Sequence, residues 1–278
     1  MMRIWLSVFC LVPLALSILL SRAALDNMPR QVSVGSHRLR ALVQGQGGPA
    51  VVFECFGAAY LEHMNRVQPA ISKLTTTVNY DHAGHWASEP GPLPRDANRI
   101  AEELHDLLAR LAVSPPYVLV GFSFGGPYVR VFAGKYPEEV AGIVLVDPTQ
   151  EAFMKWLRET WPTVNQVSAE DRRERSEWGS QWDSMKQAEA APLPDVPITL
   201  ITGMRADGPF GRHVKPKWLK AHAEWLAPHA RGRHIVTTRS GHGIPLSEPD
   251  LVIQAIVQML ASVRGAESPL NGVDRARP

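Results

Sequence analysis

The run Gly121-Phe122-Ser123-Phe124-Gly125-Gly126 is the first place where this chain could do chemistry. It follows an apolar, β-rich run, Tyr117–Gly121, and leads straight into a helical pattern beginning at Phe124. A serine between two glycines at a strand–turn–helix junction suits a nucleophile. A sharp turn there would hold the hydroxyl above the sheet. Side chains at the glycine positions would collide with such a turn. The helix that follows aims its dipole and first backbone N–H groups at the same point, where they favour a developing anion.

A serine hydroxyl is a poor nucleophile at neutral pH. It needs an adjacent base, and the base needs an orienting partner. Among ten histidines, His242 has the right context. It lies in Ser240-Gly241-His242-Gly243, after the last β-rich run and before the last helical pattern, which puts it at the C-terminal edge of a parallel sheet. Two aspartates could receive its other N–H: Asp147, which ends an apolar run, and Asp207, in the loop after the next one. Asp147 is favoured because it directly terminates its strand; Asp207 is the alternative acid. An oxyanion needs backbone donors. Phe124 N–H, directly after the serine, is the first. Gly57, with Phe56 as the alternative, supplies the second from the loop after Ala50–Cys55. His82 and His85 resemble a metal pair, but no third ligand stands at a recognisable spacing. No metal and no cofactor is expected. His37, His63, His105, His222 and His229 read as surface or helix residues.

The elements that must position these residues alternate. A hairpin, Gln31–Val34 and Leu39–Gln44 around Gly35-Ser36, comes first. Apolar runs follow at Ala50–Cys55, Thr77–Asp81, Tyr117–Gly121, Gly142–Asp147, Ile198–Gly203 and His234–Thr237. Helical patterns lie between most of them, at Leu61–Leu74, Arg95–Ala112, Phe124–Tyr136, Lys217–His229 and Glu248–Val263. Strands alternating with amphipathic helices make βαβ units and a parallel sheet. Ser247 reads as the cap of the last helix, with Asp250 as its reciprocal partner and Pro249 in the first turn.

The stretch 149–194 breaks the alternation. It holds no convincing strand but carries Phe153, Trp156, Trp161, Trp178 and Trp182. A long aromatic helical insertion in a compact domain reads as a lid over a site. The charge run Glu170–Arg175 within it reads as a solvated helix face. Residues 1–23 stand apart. Arg3, the apolar stretch Ile4–Leu20 and Ser21-Arg22-Ala23 describe an export signal or an uncleaved membrane anchor. The body, a core in two parts (24–148 and 195–264), is therefore expected to be secreted, periplasmic or membrane-anchored. The tail, 265–278, reads as disordered.

Bulk composition agrees with an ordinary globular protein, 45% hydrophobic and 20% charged over 278 residues. The 29 Lys+Arg stand against 27 Asp+Glu. Two of the cations, Arg3 and Arg22, lie in the leader, so the body carries equal numbers of each sign. Nothing electrostatic points to nucleic acid. Outside the leader Cys55 stands alone and cannot form an internal disulfide; it reads as a small buried hydrophobe.

These residues resemble the α/β-hydrolase superfamily, across nearly the whole chain from about Gln31 to Val263. The resemblance is carried by Val51-Val52-Phe53-Glu54, Tyr80-Asp81-His82-Ala83-Gly84, Pro116 to Gly126, Val140 to Asp147 and Ser240-Gly241-His242. More narrowly the chain is similar to a bacterial lipase- and esterase-like branch. The resemblance implies an α/β fold, a mostly parallel central sheet flanked by helices, with Ser123 on a nucleophile elbow and the order Ser…Asp…His. It supports Asp147, which stands where that branch has its aspartate. Two positions depart from it. Phe122 replaces the usual histidine before the serine and should reshape the substrate pocket wall. Phe56 replaces an early glycine in the oxyanion loop.

The expected function is hydrolysis of a small ester-like substrate with an apolar moiety, through an acyl-enzyme on a Ser-His-Asp triad. Peptidase, thioesterase, carbon–carbon hydrolase and perhydrolase reactions use the same scaffold. A non-catalytic ligand-binding protein on this fold is the rival from another class.

Overall fold

In a computed structural model of the protein, the described residues are 28–56, 63–164, 166–206 and 208–265. Eight strands form one sheet: β1 (Arg30–Val34), β2 (His37–Gln44), β3 (Ala50–Glu54), β4 (Thr77–Tyr80), β5 (Tyr117–Phe122), β6 (Val140–Val146), β7 (Ile198–Gly203) and β8 (Gly232–Thr237). Their spatial order is β1-β2-β4-β3-β5-β6-β7-β8. The first hairpin and its junction with β4 are antiparallel; every other pairing is parallel.

The central strands are apolar throughout because both of their faces are covered. In β5, Tyr117 and Leu119 enter one core while Val118 and Val120 enter the other. In β6, Ile143 and Leu145 alternate with Val144 and Val146 in the same way. One face is covered by α2 (Ala97–Arg110) and α3 (Gly125–Lys135), the other by α1 (Gln68–Ile71) and α9 (Pro249–Val263). The α2 helix buries Ile100, Leu104, Leu107 and Leu108, a 3.6-residue stripe. Its first turn is capped by Asp96, which accepts from Arg99 N–H at 3.0 Å.

The insertion between β6 and β7 is helical, as expected: α4 (Glu151–Thr160), α5 (Ala169–Glu174) and α6 (Gln181–Ala190). The charged α5 buries no residue, in keeping with a solvated face. Buried polar links join the insertion to the core. Arg130 of α3 binds Glu151 at 2.6 Å and the Ala188 carbonyl at 2.8 Å. Ser184 accepts from Ala97 N–H, and Gln187 from Asn98 N–H, at the start of α2.

Three expectations are corrected. Of the helix expected at Leu61–Leu74, residues 61 and 62 lie outside the described residues; His63 is helical, but a turn at 64–67 separates it from α1, and Pro69 in the first turn of α1 lacks the N–H that would continue an earlier helix. The helix expected from Lys217 begins earlier: α7 spans Gly208–Leu226 with Pro216 inside it. Ser247 does not cap the last helix. It ends a separate short helix, α8 (Ile244–Ser247), and its hydroxyl goes to Ser240 Oγ and the Gly243 carbonyl; α9 starts after Glu248 with no side-chain cap. The leader and the tail beyond Gly265 lie outside the described residues. Among those described, no helix is long and apolar enough to cross a membrane.

Candidate active site

Ser123 sits between the end of β5 and the start of α3 with φ at +55°, a left-handed conformation uncommon outside glycine. The turn is held by Ser123 N–H to the Val146 carbonyl at 3.1 Å, and by the Ser123 carbonyl accepting from Gly126 and Thr149 N–H. The flanking glycines are required by close approach. A Cβ on Gly125 would stand 2.1 Å from the Glu54 carbonyl oxygen, and one on Gly121 would stand 2.8 Å from the Gly125 carbonyl oxygen. The serine is thus pinned above the sheet by backbone packing on both sides.

His242 follows β8. Its loop is drawn against the end of β7, where Arg205 N–H binds the Ser240 carbonyl at 2.9 Å and Gly203 leaves room for the Gly241 carbonyl. This brings Ser123 Oγ to 2.8 Å from His242 Nε2, and His242 Nδ1 to 2.8 Å from Asp147 Oδ2. The Nδ1–H donates to the carboxylate, which leaves Nε2 to accept from the serine hydroxyl. The imidazole is half exposed while Asp147 is fully buried.

Asp147, at the C-terminal end of β6, is held from several elements. Its Oδ1 accepts from Gly203 N–H at 2.9 Å and Trp218 Nε1–H at 2.8 Å. Lys215 Nζ stands 3.6 Å from Oδ2. Burial works against the charged form, but the His242 hydrogen bond and charge, Lys215 and the Gly203 N–H outweigh it, so the carboxyl lies below its usual range. Behind Trp218, His222 is buried. Its Nε2–H donates to the Pro148 carbonyl and its Nδ1 accepts from Thr202. Burial, partly opposed by Asp147, pushes it down to about 4. It is neutral at ordinary pH and adds no charge to the site.

Phe122 is buried, its ring 5.2 Å from that of His242 and 5.4 Å from that of His63. Phe124 is the N-cap of α3, and its ring lies 5.1 Å from that of Phe56, which in turn meets Trp178 of the insertion at 5.3 Å. Gly57 and Asp207 lie outside the described residues.

His82 and His85 are engaged elsewhere. Buried His82 donates from Nε2 to Glu54 at 2.6 Å and from Nδ1 to Glu177 at 3.1 Å. Tyr80 O–H completes Glu54 at 2.5 Å; Tyr128 O–H and His85 reach Glu177 at 3.1 and 3.2 Å. Burial alone would lower His82, but the two carboxylates raise it to about 10, so it is an imidazolium at neutral pH. Burial likewise opposes the charge on Glu177, and His82 overcomes it, leaving that carboxyl far below its usual range. The ion bridge joins the end of β3, the turn after β4 and the insertion. His37, expected at the surface, is also buried, beside Glu103. Cys55 is buried and free, its thiol pushed well up by burial and by Glu54.

Sequence reasoning did not find Lys215, Trp218 or the Glu54–His82–Glu177 bridge. Lys215 and Trp218 are three apart on α7, but the helical pattern reads from Lys217, with Pro216 before it, so the sequence does not mark the two as neighbours. Nothing in the sequence tied them to Asp147.

Residues 49–190 match a family model described as the alpha/beta hydrolase fold, and the chain belongs to that family. A relative described as a probable transporter, efuK, from Hormonema carpetanum is 26% identical over 63% of this chain, which spans 31% of that protein. The uncharacterized protein YqjL of Bacillus subtilis is 23% identical over 82% of this chain and 89% of its own length. Among solved structures, an esterase from the thermophile Thermogutta terrifontis superposes with a TM-score of 0.61 at 18% identity, covering 85% of this chain and 99% of its own. An epoxide hydrolase, CorEH, superposes at 0.59 and 16% identity, with the same coverages. These likenesses show the fold. Together with the family, they support a hydrolase.

Proposed function

We propose that the protein is a serine hydrolase of the lipase- and esterase-like branch, cleaving a small ester-like substrate through an acyl-enzyme. The observation that carries this reading is the unbroken chain from Ser123 Oγ through His242 to Asp147, with 2.8 Å at each link. Ser123 Oγ attacks the carbonyl carbon while His242 Nε2 takes its proton. Asp147 holds the imidazole in the required tautomer and stabilises the imidazolium that forms. The Phe124 N–H, at the start of α3, and a second donor from the Phe56–Gly57 loop receive the developing oxyanion. His242 then protonates the leaving alcohol. A water, deprotonated by the same imidazole, attacks the acyl-enzyme and releases the acid.

A serine at the elbow separates this reading from dehalogenase and epoxide-hydrolase chemistry, for which the resemblance to the α/β-hydrolase superfamily implies an aspartate in that place. Two sets of aromatic rings near the site, Phe122 beside His242 and the Phe124–Phe56–Trp178 row, favour an apolar acyl or alcohol group. A fluorophosphonate probe tests the reading. The wild type should be labelled at Ser123, Ser123→Ala should not, and Asp147→Asn should lose about 10⁴-fold in turnover of p-nitrophenyl esters while still folding. A wild-type chain that resists the probe and cleaves none of a graded series of such esters would be a binding protein on this fold.

A further inference from the structure

Asp147 is fully buried and already accepts three hydrogen bonds, from Gly203, Trp218 and His242. Those bonds satisfy its oxygens. They do not cancel its charge. Lys215 does: its side chain is 14% exposed, and its ammonium stands 3.6 Å from Oδ2, the oxygen that also holds the imidazole. At that distance the ammonium is an ion-pair partner alongside the imidazole, rather than a donor that displaces it. It lies on α7 one turn before Trp218, with Nζ 5.8 Å from the indole centre, so the same helix supplies both the hydrogen bond and the charge. Within 4 Å of the carboxylate, among the described residues, the cationic side chains are Lys215 and His242.

We propose that Lys215 is a positioning residue that sets the pH range of the Ser123 site, by neutralising Asp147 before the imidazole is asked to carry charge. This rests on the serine chemistry proposed above. With Asp147 and Lys215 both charged and His242 neutral, the resting cluster carries no net charge. A proton arriving on His242 from solvent makes the cluster cationic, which the nearby ammonium opposes. The cost is felt at the transition state, where the same ammonium weakens the help that Asp147 gives the imidazolium.

Among the described residues, the other ionisable groups around the imidazole do not take this part. Ser123 is its partner in the reaction. His222, on α7 behind Trp218, is neutral. On the loop before His242, Arg239 pairs with Glu248 at 3.6 Å, and Arg205 reaches the Arg239 carbonyl. His63 lies across the ring of Phe122.

The test uses the full chain and needs no knowledge of the natural substrate. The rate of fluorophosphonate labelling at Ser123 is followed from about pH 5 to about pH 9 for the wild type, Lys215→Met and Lys215→Arg. In Lys215→Met the pH of half-maximal rate on the acid side should rise by about one unit. At the low end labelling then falls about tenfold, while the alkaline plateau is equal or higher. Lys215→Arg, which keeps the charge, should restore the wild-type profile. A Lys215→Met profile with an unmoved acid limb overturns the proposal. So does a loss that is the same at every pH, which marks a structural role. Failure of the wild type itself to label sinks the serine reading instead, and the two failures are told apart by that control.

Discussion

Replacing Glu177 with glutamine would put the buried Glu54–His82–Glu177 bridge to a quantitative test. Glutamine keeps the volume and one of the two acceptor oxygens that Tyr128 (Oε1) and His85 (Oε2) use, and removes one of the two charges flanking His82. Raising an imidazole from 6.5 to about 10 corresponds to about 5 kcal/mol of preference for the charged, folded form. Two carboxylates share that preference, so losing one should cost about 2–3 kcal/mol, at the lower edge of what breaking a buried pair costs. The sign of the pH dependence follows from each shift. The raised His82 stabilises fully below 6.5, and that contribution is lost as pH climbs through about 10. The lowered Glu177 stabilises above its ordinary 4.5, and its contribution fades as pH falls below that. The gap between wild type and Glu177→Gln should therefore be widest between about pH 4.5 and 6.5 and should close towards and beyond about pH 10. Urea unfolding at a series of pH values measures it. A gap under about 1 kcal/mol at neutral pH, or one that stays constant into alkaline solution, would refute the assignment of a charged bridge.

Further outcomes follow from packing at the site. Gly125→Ala should abolish labelling and lower the unfolding midpoint sharply, because its Cβ would meet the Glu54 carbonyl at 2.1 Å; a soluble, active Gly125→Ala enzyme would contradict the tight elbow. Trp218→Phe removes the indole donor to Asp147 Oδ1 while keeping most of the ring; turnover should fall about tenfold with a stability loss of about 1–2 kcal/mol, read by kinetics and by urea titration on one preparation. Unchanged kinetics there would mean that Gly203 alone orients the carboxylate.

Much of this fold is written in local pattern. Val118-Leu119-Val120 and Ile143 to Val146 read as strands covered on both faces, and alternate residues do enter opposite cores. Where pattern misled, a nearby competitor was the reason. The Ser247 hydroxyl had the Ser240 hydroxyl and the Gly243 carbonyl within reach, so it served α8 and the loop before it instead of capping α9. Lys217 looked like the start of a helix, yet the helical segment runs back through Pro216, carrying Lys215 to the site.

Sequence alone determined the elbow around Ser123, the strand that leads into it and the loop bearing His242, because each depends on residues within a few positions of one another. Tertiary structure decided the rest. It brought Asp147 to His242 across 95 positions, and placed Lys215 and Trp218 around that carboxylate. It also closed Glu54, His82 and Glu177 into one buried bridge, with 28 and 95 positions between its members. Charges attract through space and not along the chain, so which carboxylate meets which cation is set only when the strands and the insertion have packed.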